Sequence, residues 1–163
     1  MTPAANVERN SVPGPDIRSQ IGGRYTAEQF RALFDPDGVI VAGASTHPGK
    51  FGFVALHNLL ACGYRGRVYA TNLEGTSVLG VDTVPDVAQL PDGAADLVFV
   101  CTPASANARL LEACAAKGVR AAFVTSAGYG EAGEEGRRAE AELVALADRL
   151  GLLLAGPNGQ GIV

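Results

Sequence analysis

Basic residues are scarce in this chain, and so are cysteines and long apolar runs. Its 163 residues carry 13 Lys and Arg against 17 Asp and Glu, a formal net charge of −4. Nucleic-acid binding needs a basic face, so this balance excludes it as a general activity. An anionic small molecule then has to be held by local dipoles and a few side chains. No apolar stretch reaches the roughly 18 residues of a membrane span, and nothing at the N-terminus has the layout of a signal peptide. The expectation is a cytoplasmic protein without membrane contact. Cys62, Cys101 and Cys114 are odd in number and form no C-x-x-C pair. They read as buried reduced thiols, leaving no metal or redox centre.

What is present is a regular alternation of elements. With 47% apolar and 18% charged residues, the length suits one globular domain. Residues 1–24 are polar, bear proline and glycine, and lack periodicity, so they read as a flexible lead-in to a domain over 25–163. Thr26-Ala-Glu-Gln29 has the form of a capping box for a short helix to Phe34. Strands are expected near Val39–Gly43, Arg67–Thr71, Asp96–Cys101, Val119–Thr125 and Leu152–Ala155. Ser77–Thr83 is a short extended piece, and Asp86–Leu90 a turn or two of helix.

A first helix after the strand at Val39 spans about Gly52–Cys62, with Leu56, Leu59 and Leu60 as its inner stripe. Thr102-Pro103 opens a second, with proline at the first helical position, Leu110, Leu111 and Cys114 inward, and Gly118 at its end. The helix from about Ala132 to Leu150 turns Leu143, Leu146 and Ala147 to one face. This order, with near-continuous apolar strands, predicts an α/β fold: a Rossmann-like, doubly wound, mainly parallel sheet with helices on both faces. The closing Gly161-Ile-Val163 reads as the opening of something further, hence a fragment of a longer polypeptide.

Such sheets bind ligands beyond the carboxyl ends of their strands. Small and polar residues collect there: Gly43-Ala-Ser45, Thr71-Asn72, Thr102-Pro-Ala104, Thr125-Ser-Ala-Gly128 and Gly156-Pro-Asn158. The stretch from Gly43 to Gly52 has the layout of a strand, a glycine-rich loop and a helix start, an anion site by construction. Lys50 reads either as a phosphate contact there or as a solvated loop lysine, and Ser45 and Ser126 read as hydrogen-bond donors to ligand oxygens. The glycines at 43, 49 and 52 are spaced wider than G-x-G-x-x-G, and Asn72 stands near the place of the acidic ribose ligand. A nicotinamide dinucleotide is therefore the weaker reading. No catalytic set emerges either: His47 and His57 lack a carboxylate placed to orient them.

Gly43-Ala-Ser45, Pro48-Gly-Lys-Phe-Gly52, Thr102-Pro-Ala104, Ser126-Ala-Gly128 and Gly156-Pro-Asn158, in this order, resemble the N-terminal CoA-binding domain of NDP-forming acyl-CoA synthetases. That domain is similar to the succinyl-CoA ligase α-subunit. The resemblance implies that the Ser45–Gly52 loop, with Lys50 and Phe51, cradles the phosphates of CoA or an acyl-CoA. It implies that Thr102, Pro103, Ala104, Thr125, Ser126, Ala127 and Gly128 line the nucleotide and pantetheine, with Pro157 and Asn158 near the thiol. It also implies that the phosphohistidine and ATP-grasp domains of the synthetase lie outside this stretch, which binds CoA without catalysing alone. Two residues depart from the family: Glu74 where a lysine is usual, and Gly159 where cysteine is common. An NAD(P)-binding oxidoreductase-type domain and a non-catalytic ligand sensor are the alternatives. A homo-oligomer is compatible with the sequence, which leaves acyl group and nucleotide open.

Overall fold

The computed structural model describes residues 24–161. The lead-in expected over residues 1–24 lies, but for Arg24, outside the described residues. Helix α1 (Ala27–Phe34) starts on Thr26, whose hydroxyl accepts the Gln29 N–H at 3.2 Å while the Gln29 side chain accepts the Thr26 N–H at 2.7 Å. The reciprocal pair satisfies two amides that a helix start leaves bare. Then follow β1 (Gly38–Ala42), α2 (Phe51–Ala61), β2 (Arg67–Thr71), β3 (Thr83–Val84) and a 3₁₀ turn at Val87–Gln89. The chain continues through β4 (Leu97–Val100), α3 (Ala104–Ala116), β5 (Ala121–Val124), a second 3₁₀ turn at Gly130–Ala132, α4 (Glu134–Leu150) and β6 (Leu153–Ala155).

The strands form one sheet in the order β3-β2-β1-β4-β5-β6, every neighbouring pair parallel. This is the doubly wound order, whose direction of winding reverses between β1 and β4. Side chains alternate across the sheet. Val39, Leu97, Ala121 and Phe123 face α1, while Val41 and Ala70 face Leu56 of α2. Ile40, Val98, Val100, Ala122 and Val124 meet Leu111 and Cys114 of α3 and Leu143 and Ala147 of α4 on the other side. Among the described residues, no helix is long and apolar enough to cross a membrane.

Four local expectations change. The sheet has a sixth strand, β3, a two-residue edge too short to show a period in sequence. Leu60, expected on the inner stripe of α2, is exposed, whereas Leu56 is fully buried. Gly52 is buried beside the loop after β1, and residues 52, 56 and 59 share the face this contact turns inward. Cys62, expected to be buried, is exposed at the C-cap of α2. Pro103 is the N-cap of α3, one position before the helix, with extended backbone.

Candidate functional site

The reversal between β1 and β4 opens a cavity of about 690 Å³ at the carboxyl ends of the strands. Gly43, Ser45 and Lys50 line it from the β1 side, Asn72 and Glu74 from β2, Thr102 and Pro103 from β4, Ser126 and Ala127 from β5. Four separate loops thus converge on one space. Gly43 makes the first turn with φ of 84°, and its Cα lies so close to β4 that a Cβ would stand 3.0 Å from the Cys101 carbonyl carbon. Only glycine combines that φ with that approach.

The β1 loop is wound on itself. Ser45 Oγ accepts the His47 N–H at 3.1 Å, His47 Nδ1 accepts the Gly49 N–H at 3.1 Å, and the Lys50 N–H donates to the His47 carbonyl at 3.1 Å. Ser45 keeps its own hydrogen for a ligand, and its N–H and that of Thr46 bond to nothing among the described residues. Helix α2 then begins at Lys50 with no side-chain cap and no acidic residue in its first turn. Its positive dipole end is left unneutralised at the cavity edge. Phe51 is exposed and Gly52 buried, and both lie outside the lining.

On the β2 side Asn72 is a strut. Its Nδ2 donates to the Ala44 carbonyl at 2.9 Å, and its Oδ1 accepts the Glu74 N–H at 2.8 Å and the Thr76 hydroxyl at 3.4 Å. Those bonds hold the β1 and β2 loops together and leave the exposed Glu74 side chain against the cavity.

The β4 and β5 side rests on a buried polar group that sequence reasoning missed. Asn107, on α3, is fully buried. Its Oδ1 accepts the Thr102 hydroxyl at 2.8 Å, and its Nδ2 donates to Ser126 Oγ at 3.1 Å and to the Tyr129 hydroxyl at 2.8 Å. Ser126 donates its hydrogen to the Thr102 carbonyl at 2.6 Å. Ser126, expected to donate to ligand oxygens, has therefore already given its one proton to the backbone. An Asn in the fourth position of a helix, flanked by Ala106 and Ala108, carries no local signal for this bridge; only the fold brings its partners to it.

Other expected site residues sit behind or beside the lining. Thr125 is buried, its hydroxyl donating to the Val100 carbonyl at 2.9 Å. Ala104 belongs to a separate groove between α3 and α4. The Gly128 N–H is taken by the Glu131 carboxylate, and this bond holds the Glu131 pKa below the usual range. Asn158 is tied to the wall through its N–H to the Ser126 carbonyl at 3.1 Å, and it lies with Pro157 outside the lining.

Cys101 lines the cavity, yet burial pushes its thiol up to about 11, and Cys114 in the core is pushed up to about 12. A thiol with that pKa is ionised at about one part in a thousand at pH 8 and makes a poor nucleophile. Iodoacetamide at pH 8, read by mass spectrometry, is expected to modify the exposed Cys62 and to spare Cys101 and Cys114 until the protein unfolds. Rapid labelling of Cys101 in the native state would show that the thiol is not held neutral there. Among the described residues, no three His, Cys, Asp or Glu side chains gather where they could hold a metal ion.

A family model described as CoA binding domain matches residues 38–163. The α subunit of an ADP-forming acetate–CoA ligase I from Pyrococcus furiosus is 38% identical over 138 residues, covering 82% of this chain and 30% of the relative. A trans-feruloyl-CoA synthase from an unknown prokaryotic organism is 34% identical over 138 residues, covering 85% of this chain and 19% of the relative. The solved dinucleotide forming acetyl-coenzyme A synthetase 1 of Ca. Korarchaeum cryptofilum, in complex with phosphate and ADP, superposes with a TM-score of 0.76 at 33% identity. That match covers 82% of this chain and 28% of the other. The chain spans less than a third of the length of these relatives.

Proposed function

We propose, because this chain belongs to the CoA binding domain family and is homologous to part of the ADP-forming acyl-CoA synthetases, that coenzyme A or an acyl-CoA occupies the cavity between β1 and β4. One observation carries the reading: the uncapped start of α2 meets the free N–H groups of Ser45 and Thr46 at that cavity's edge. Diphosphate oxygens match those donors, and Lys50 adds a positive charge. The nucleotide and pantetheine then run across Thr102, Pro103, Ser126 and Ala127 towards Pro157 and Asn158.

The chain's part in the larger reaction is to hold coenzyme A while other synthetase domains, bearing the phosphohistidine and the ATP-grasp unit, form the acyl-CoA from an acid and ATP or GTP. It does this in the cytoplasm and needs no metal of its own. The acyl-phosphate chemistry is assigned to those domains: among the described residues lining this cavity, burial holds the Cys101 thiol protonated and His47 has no carboxylate partner.

Titration calorimetry with CoA, dephospho-CoA and NAD tests the reading. CoA is expected to bind much tighter than NAD, with dephospho-CoA between them. Binding of NAD with no response to CoA would overturn it in favour of an oxidoreductase-type domain. No binding of any of the three would leave a sensor or scaffold.

A further inference from the structure

Helix α2 has no charged face. From Phe51 to Tyr64 the chain carries no Asp, Glu, Lys or Arg, although its net charge is −4. Leu56 is fully buried against β1 and β2, yet the opposite side of the helix is apolar too: Phe51 is 52% exposed, Val54 43% and Leu60 45%. His57, Asn58 and Ala61 complete that outer arc, all of them exposed. A surface helix ordinarily turns charged residues to water, and one that is apolar all round is ordinarily covered. Helix α4, on the other side of the sheet, keeps the ordinary pattern, with Glu135, Arg138 and Glu142 exposed.

The bare face extends onto the neighbouring helix. Leu59 and Tyr64 pack with Ala32 and Leu33 of α1, and the Tyr64 hydroxyl donates to the Pro36 carbonyl at 2.8 Å, so the ends of the two helices meet. Phe34, the last residue of α1, is 63% exposed. Of the exposed large apolar side chains among the described residues, none lies on α3 or α4. A face without charge rejects a charged partner surface, because a charge buried against it would find no counter-ion there. A second α2 meets that condition. It also brings a polar group that matches itself, since the Asn58 amide both donates and accepts. We infer that two copies of this chain associate through α2, antiparallel about a two-fold axis near the middle of the helix, with Val54 facing the partner's Asn58. Antiparallel pairing sets the two helix dipoles against each other and sends the two Ser45–Gly52 loops to opposite ends of the contact.

A helix of 11 residues offers a strip about 16 Å long. Even with Phe34 beside it, the contact stays below the roughly 800 Å² per partner of a standard interface, so a dissociation constant of about 1 to 100 µM is expected. Sedimentation equilibrium of the 163-residue chain across that range is the test. The wild type should pass from monomer to dimer. Val54→Glu should weaken association about 100-fold, because each copy then buries an unpaired carboxylate. Ala141→Glu is the control: it adds the same charge at an exposed position of α4 and should change nothing. Asn58→Asp and Asn58→Lys should each weaken association about tenfold alone and recover it when mixed, as like charges at the axis are replaced by opposite ones.

A wild type that stays monomeric at every concentration overturns the inference and leaves α2 to a different partner, such as another synthetase domain. A dimer that Val54→Glu and Ala141→Glu weaken alike, or that neither weakens, lies elsewhere on the surface and overturns it as well. Should Val54→Glu fail to fold, the two Asn58 variants decide alone: recovery on mixing supports a face that meets its own copy, and failure to rescue each other overturns it.

Discussion

Gly52→Val is expected to destabilise the protein by about 3 kcal/mol and to abolish coenzyme A binding at temperatures where the wild type is folded. A Cβ at this position would stand 2.0 Å from the Gly43 carbonyl oxygen, 2.9 Å from its carbon and 3.0 Å from the Ala44 Cα. All three are backbone atoms, in a loop that is itself pinned by the Gly43 and Ala44 N–H bonds to Thr71. None can swing aside as a side chain would. Helix α2 must instead lift off β1, which uncovers the fully buried Leu56 and moves the helix start away from the cavity. Gly49 supplies the control, since a Cβ there meets only the exposed His47 ring, at 3.3 and 3.4 Å. Gly49→Ala should leave the urea midpoint nearly unchanged. A Gly52→Val protein as stable as the wild type would show that the contact does not seat the helix.

Glu74→Lys should tighten coenzyme A binding about tenfold in about 0.01 M salt and less than twofold in about 1 M salt, as the screening length falls from about 30 Å to about 3 Å. Glu74 and Lys50 line the same cavity from the segments that follow the neighbouring strands β2 and β1, so a diphosphate beside them is attracted by one and repelled by the other. The substitution removes a repulsion and adds an attraction. The backbone should not notice, because among the described residues Glu74 is engaged through its N–H alone, with Asn72 Oδ1, and lysine keeps that N–H. Calorimetry at the two salt concentrations is the measurement. Affinity that ignores both the substitution and the salt would place the phosphates away from this wall.

The rim of the sheet was legible because its chemistry is local. Gly43 and Thr102 follow directly on apolar runs, and Asn72 and Ser126 one threonine later; a strand that ends in such residues declares its turn within four or five positions. The capping box at Thr26 and Gln29 is equally local, and it stands as read. Leu60 and Cys62 were misjudged for the opposite reason. Leu60 lies on, and Cys62 caps, a helix that is apolar almost all round, so periodicity could not say which face turns inward. The close approach of Gly52 to Gly43 sets that rotation, across nine residues of chain. The Asn107 bridge is further from view still, because its partners come from two separate loops, Thr102 after β4 and Ser126 and Tyr129 after β5.

By itself, the sequence determined the alternation of strands and helices, the doubly wound sheet and the set of strand ends from which a ligand site is built. All of these follow from side-chain period and turn chemistry within a dozen residues. Only the tertiary structure decided which of those strand-end residues share one cavity, which way their hydroxyl hydrogens point and which glycines serve packing instead of the rim. Those properties depend on how close distant backbones come, and that closeness is settled when the helices seat on the sheet.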